Sequence, residues 1–523
     1  MNPFDERGAF QPTVGGVRSL AVRGAGITVF ASVLGLAIQI IATVVLARIL
    51  TPSDFGLVAM VTTFSLLLMN FGLNGFTEAV LQRGEIDQAL ATNLFWINAV
   101  AGVLLTIGFA AAGSLLARFY HDPLVARVTV GVSPTILFTS ILVLHLALLK
   151  RGMRFSAVSA NDILSRIASV AASIILAATG WGYWALVVGV VAQPFTACVG
   201  AWFMCRWIPG LPRRVNGTAS MVVFAMNVYG RFGVNYLARN MDNVLVGWRF
   251  DAQSLGFYKK AYDLFALPAS VFVSSLTVVA VSALSRLHGN SIQYRRYLLS
   301  ALAVVAFVGM GLAADFTLVG KDLIRLLLGP QWGPAGRIFT FFGPGIGAML
   351  LYGTNGWIHL SIGRADRWLR WGIIEFFVTG LLFIVGLHWG PVGMAVAWTA
   401  SFWILTLPAF WYAGRPINLG IAPILAAVWK YIISAAVAGS ATAWLIRDIP
   451  LFGAATSAMA AFVRIVMISL LFGILYLAAI VLLFQGCAPL YQVAALMREM
   501  VPWRRLHTAS LASPPICAPR TNE

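Results

Sequence analysis

Charge is what this chain has least of. Asp, Glu, Lys and Arg make up 10% of its 523 residues, against about 25% in a typical soluble domain. That excludes an ordinary water-soluble enzyme. Cysteine is also scarce. Cys198, Cys205, Cys487 and Cys517 have no metal-ligand spacing. Cys198 and Cys205 would stand about 10 Å apart along one helix, too far for a disulfide, and all four are read as reduced. Gly-rich phosphate loops, His–carboxylate pairs at metal spacing and nucleophile elbows are missing. A membrane ATPase is therefore not expected, nor any cofactor. No stretch between hydrophobic runs is long enough for a separate soluble domain. The first seventeen residues lack the apolar core of a cleavable signal.

Hydrophobic residues, by contrast, make up 60% of the chain. A bilayer core of roughly 30 Å needs about 20 mostly apolar residues per helix. Such runs are read at Ile27–Leu50, Phe55–Phe76, Thr92–Ala117, Val125–Leu149, Ala157–Thr179, Tyr183–Cys205 and Thr218–Trp248. They continue at Phe257–Leu284, Tyr297–Val319, Ile338–Ile362, Trp371–His388, Val392–Tyr412, Ile421–Leu445 and Met459–Phe484. Barrel strands would alternate over about ten residues, so the expectation is an all-α integral membrane protein with fourteen spans. The run at Thr218–Trp248 is the most charged of them.

The net charge of +18 would suggest nucleic acid in a soluble protein. Here the positive-inside rule explains it. With the N-terminus cytoplasmic, 22 of the 36 Lys and Arg fall inside, 10 outside and four within spans. Both termini are expected in the cytoplasm, with the protein in the inner membrane. A short interfacial helix is expected near Lys321–Gly336. The tail holds an amphipathic stretch near Tyr491–Val501 and a Pro- and Ser-rich end. Ser53-Asp54-Phe55-Gly56-Leu57 and Gln253-Ser254-Leu255-Gly256-Phe257 lie 200 residues apart. They read as a parallel repeat of six helices, or as two turns alike by chance.

Polar residues inside spans must face protein or water. Asn227, Arg231, Asn235, Arg239 and Asp242 follow one another at steps of four, four, four and three, which places them on one helical face. Arg231 and Arg239 could line a hydrated cavity that attracts anions. Asp242 could instead pair with Arg239 as a structural network. Asn70, Asn74 and Glu78 form a thinner stripe. Asp162 and Arg166 are spaced for an i,i+4 pair, structural or functional. Glu375 shares a face with Thr379. Glu78, Asp242 and Glu375 are the candidates for loading a proton or sodium ion. Arg464 is placed to snorkel, and His359 reads as interfacial. The 17 Trp suit interfacial belts or stacking on sugars.

Several stretches in fixed order carry a resemblance. Ala47-Arg48-Ile49-Leu50-Thr51-Pro52-Ser53-Asp54-Phe55-Gly56-Leu57-Val58-Ala59-Met60 is one, and Phe71-Gly72-Leu73 with Leu81-Gln82-Arg83 follows it. Tyr236 to Gly247, Gly256-Phe257-Tyr258, Ala261-Tyr262, Leu267-Pro268, Ala283 to Leu287 and Leu328-Gly329-Pro330-Gln331-Trp332 complete the set. From about Arg18 to about Trp411 the chain resembles the polysaccharide-biosynthesis exporters of the multidrug/oligosaccharidyl-lipid/polysaccharide superfamily, on the colanic-acid-exporter branch. The resemblance implies a MATE-like fold: an N-lobe at 18–207, a C-lobe at 218–413 and two further helices at 421–484. A cytoplasmic extension at 1–17 and a tail at 485–523 flank them. It also implies a flippase that carries polyprenyl-pyrophosphate-linked oligosaccharide, a precursor of exopolysaccharide, capsule or O-antigen, between leaflets by alternating access. Partners would be the lipid-linked oligosaccharide, membrane lipid, H+ or Na+, and polymerase and chain-length proteins, but no nucleic acid.

Two other readings compete. A cation-coupled drug exporter of the same superfamily would favour a more acidic or aromatic cavity than these arginines provide. A membrane polymerase or ligase would present a large outer loop, which this chain lacks.

Overall fold

The computed structural model describes residues 3–487 apart from 6, 7, 11–16, 214, 216, 288 and 448–457. The expected amphipathic tail stretch at Tyr491–Val501 lies outside the described residues. Among the described residues the chain is a multi-pass bundle of helices, with extended pairing only at two isolated bridges, Phe4 to Phe10 and Ala9 to Asp87.

The first eight helices are α1 (Val17–Ile49), α2 (Pro52–Gln82), α3 (Gln88–Ala111), α4 (Gly113–Tyr120), α5 (Leu124–Val132), α6 (Pro134–Arg151), α7 (Phe155–Ala178) and α8 (Tyr183–Cys205). Then come α9 (Thr218–Arg249), α10 (Ala252–Arg286), α11 (Ser291–Leu328), α12 (Gly333–Phe342), α13 (Gly345–Gly353) and α14 (Asn355–Ser361). The last are α15 (Ala365–Gly386), α16 (Gly390–Gly414), α17 (Ile421–Arg447) and α18 (Ala458–Phe484).

Every expected hydrophobic run falls on helix, though three are broken into shorter pieces. Pro134 and Pro344 stand at two of the breaks, where proline cannot donate to the preceding turn. Among the described residues, ten segments are long and apolar enough to cross a membrane by length and composition. α15 and α16 run on as one stretch, and α12 to α14 are individually short. α9 carries Arg231, Arg239, Asp242 and Arg249. In α10 the charges Lys259, Lys260 and Asp263 precede an uncharged apolar run, Leu264–Val281.

The interfacial helix expected near Lys321–Gly336 is absent. α11 continues to Leu328 and turns through Gly329, at φ 102°, into a single 3-10 turn. Its charge does not need to leave the helix: Asp322 is met by Arg464 of α18 at 3.3 Å. Arg464 therefore does not snorkel. Ser469 of the same helix donates to Asp315 at 2.8 Å. These contacts fix α18 against α11.

α1, α2, α6, α7 and α8 pack together, and α10 to α16 form a second group with α17 and α18 laid on α11. α2 joins the two through α9 and α10. The junction is closest where the α1–α2 and α9–α10 turns meet. Both helices start with side-chain caps, Thr51 accepting from Asp54 N and Asp251 from Ser254 N, as helix N-termini require. A Cβ on Gly56 would stand 1.6 Å from Ala252 O, and one on Gly256 1.9 Å from Pro52 O. Only glycine permits this approach.

Beside it, Arg48 Nη2 donates to Leu326 O at 2.6 Å, and Trp332 Nε1 and Gln331 Nε2 each donate to Ala47 O at 2.8 Å. The stretches Ala47–Met60 and Leu328–Trp332 thus meet in space. Each satisfies carbonyls that the other's helix end leaves orphaned. At the far end of α2, the N-terminal segment docks. Phe4 is buried against Phe10 and Trp207, and Arg151 covers the Phe10 ring at 5.2 Å.

Candidate functional site

α9 is tied to α2 along one side. Tyr229 donates its hydroxyl to Leu67 O at 3.0 Å and Tyr236 to Thr63 O at 2.9 Å. Off that side, Asn227, Asn235 and Arg239 are exposed. The side chain of Arg231, on the same stripe, lies outside the described residues.

Asn235 and Arg239 line a cavity of 320 Å³ whose other wall is Trp368, Leu369, Gly372 and Glu375 of α15. Arg239 forms no salt bridge among the described residues. Its guanidinium and the Glu375 carboxylate both act on the Tyr352 hydroxyl of α13. That hydroxyl accepts from Trp371 Nε1 at 2.8 Å, which ties α13 to α15, the helix that carries Glu375. The site therefore offers a forked cation, an amide, an indole and one carboxylate. Such a set suits an anion carrying hydroxyl neighbours, and the volume lies at the small end of ligand sites.

Two predicted residues are elsewhere. Asp242 is fully buried and turned towards α10, where it accepts from Tyr258 Oη at 2.8 Å and from Asn243 N at 2.8 Å. The alternative Arg239–Asp242 pair does not form among the described residues. The physical reason is a competing partner: Tyr258 of α10 and the Asn243 amide already occupy the carboxylate. Glu78 lies in the last turns of α2, exposed and outside this cavity. Asp162 and Arg166 do pair, at 3.0 Å. His359 is fully buried, and neither ring nitrogen bonds to another described residue.

Trp368 and Tyr352 were not singled out by the sequence. Their part in the site depends on α13 and α15 meeting α9, which no local spacing reports. Among the described residues, no group of three or more His, Cys, Asp or Glu is placed to hold a metal ion.

Comparison with known proteins gives a consistent setting. The sequence pattern of the family described as "Polysaccharide biosynthesis protein" matches residues 45–336. The teichuronic acid biosynthesis protein TuaB of Bacillus subtilis is 24% identical over 384 residues, covering 72% of this chain and 78% of its own length. The succinoglycan biosynthesis transport protein ExoT of Rhizobium meliloti is 20% identical over 369 residues, covering 70% and 74%. In fold, the chain resembles the lipid II flippase MurJ in an inward closed conformation. The TM-score is 0.70 at 15% identity, over 89% of this chain and 99% of that one.

Proposed function

This chain belongs to the polysaccharide biosynthesis protein family, and from that premise we propose that it moves lipid-linked oligosaccharide across the cytoplasmic membrane as a non-enzymatic flippase. The observation that carries the reading is Arg239, without an ion-pair partner among the described residues and lining a cavity with Asn235 and Glu375. A pyrophosphate bears at least two negative charges. Arginine meets it through a fixed fork of donors, and the exposed asparagines hydrogen-bond sugar or phosphate oxygens. Arg231 extends the same stripe by two turns.

The helices α1 to α8 and α9 to α16 act in this reading as two lobes that rock against each other, exposing the cavity first to the cytoplasm and then to the outer face. The termini lie in the cytoplasm, so the Gly56–Gly256 crossing is the outer closure. Glu78, Asp242 and Glu375 are the carboxylates available to couple transport to H+ or Na+. Polymerase and chain-length proteins are its expected partners downstream. TuaB and ExoT, a biosynthesis protein and a transport protein, support this assignment, as does the fold shared with a lipid II flippase.

The test is polymer secretion measured together with membrane abundance. Arg239→Lys keeps the charge but loses the fork, so secretion falls in part. Arg239→Ala falls further and Arg239→Glu furthest, all at normal abundance. Normal secretion from an Arg231→Ala/Arg239→Ala variant sinks the binding role.

A further inference from the structure

A second cavity, of 680 Å³, lies among α1, α2, α6, α7 and α8, and takes no lining from α9 or α15. Its chemistry is different. The wall carries Ser65, Thr139, Ser159, Asn161, Ser165 and Gln193, in a part of the chain where lipid-spanning helices would otherwise be apolar. Ser65 and Ser165 donate to carbonyls of their own helices, at 3.4 and 2.9 Å, and Asn161 donates to Ala197 O at 2.9 Å. Their oxygens keep lone pairs free to accept. Thr139 and Ser159 are only 2% and 7% exposed, yet neither they nor Gln193 bond to another described residue. Their polar atoms are therefore free to bond an occupant of the cavity they line.

The wall is also close to neutral. Its one carboxylate, Asp162, is closed onto Arg166 at 3.0 Å, and its one cation is Lys150. Leu66, Met69, Leu142 and Val190 supply apolar patches between the polar groups. Donors and acceptors mixed with aliphatic patches, with Lys150 the one lining charge not closed onto another, match a sugar: hydroxyls around the rim of each ring and C–H groups on its faces. A single lysine gives a phosphate no forked donor. The volume falls within the usual range of ligand sites.

We propose that this cavity binds the uncharged sugar portion of the lipid-linked substrate, so that the two cavities divide the substrate by charge. The proposal rests on the transport reading above and specifies where the sugar is held.

Two probes separate the claims: sugar-free polyprenyl pyrophosphate, and the lipid-linked repeat unit extracted from a producing strain that lacks its polymerase. Binding of each to the purified full-length protein in nanodiscs is measured for wild type, Thr139→Val/Gln193→Leu and Arg239→Ala. The expected result is that the double variant binds the sugar-bearing lipid at least about tenfold more weakly and the sugar-free lipid as wild type does. Arg239→Ala should weaken both. If the double variant holds both lipids as tightly as wild type, or loses both in parallel, the sugar site is overturned. Wild-type protein that binds neither probe overturns the transport reading as well.

Discussion

Gly56 and Gly256 press on one another across the α2–α10 crossing, and each lies against the carbonyl four residues before the other. The contact is reciprocal, and its two halves stand 200 positions apart. A repeat noticed in the sequence as two similar turns is here a single joint. A methyl group at either position would force the backbones apart, and overpacking of this kind costs about 1–3 kcal/mol. Gly56→Ala should reach the membrane but cut polymer secretion at least about fivefold. A cysteine placed in the α9–α10 turn should become more reactive to an impermeant reagent. Unchanged secretion and reactivity would show that the crossing does not seal.

Coupling is tested at Glu375. Its side chain lines the cavity wall that faces Arg239. In vesicles containing the purified protein, an imposed proton or sodium gradient should accelerate flipping of the lipid-linked substrate. Glu375→Gln should lose most of that stimulation while keeping the basal rate. Wild-type flipping that ignores both gradients removes the idea.

The Arg464–Asp322 pair predicts an asymmetry. Both groups are largely buried, and removing one partner of a buried pair leaves the other uncompensated, at a cost of about 3–5 kcal/mol. Arg464→Ala should lower thermal stability in detergent. Arg464→Met with Asp322→Leu should recover most of the loss. A single variant as stable as wild type would mean the pair is hydrated and contributes little.

His359 carries the opposite expectation. Two unsatisfied nitrogens in a buried ring cost more than an apolar ring of similar shape. His359→Phe should be as stable as wild type or more so, by about 1 kcal/mol, with normal secretion. A sharp loss of secretion at normal abundance would instead make this histidine functional.

Topology is open to a direct check. A reporter that is active only outside the cytoplasm, fused after Glu523, should give no signal. The same reporter inserted in the α9–α10 turn should be active.

The bilayer made most of the fold legible, because each run had to be apolar for about twenty residues. The Asn235–Arg239 side of α9 was legible for a related reason: a stripe at steps of four has no place facing lipid. What stayed hidden depends on partners distant in sequence. Asp242 is claimed by Tyr258 of α10, and nothing in the spacing of α9 announces that. Within α11, Asp322 is met by Arg464 of α18; read alone, the charges near Lys321 suggest a helix end. Phe4 reads as part of a polar extension until Trp207 is seen beneath it.

Surfaces that interlock through side chains must reset rotamers each time they part and rejoin. The α2–α10 crossing has none to reset at its tightest point, since Gly56 and Gly256 meet through bare backbone. The bonds from Arg48 and Trp332 beside it end on carbonyls, which water can satisfy equally well once the helices separate. In the proposed cycle the centre of this closure would part without a change of rotamer, while the rings of Phe55, Phe257 and Trp332 and the Lys260 amine beside it would have to regroup.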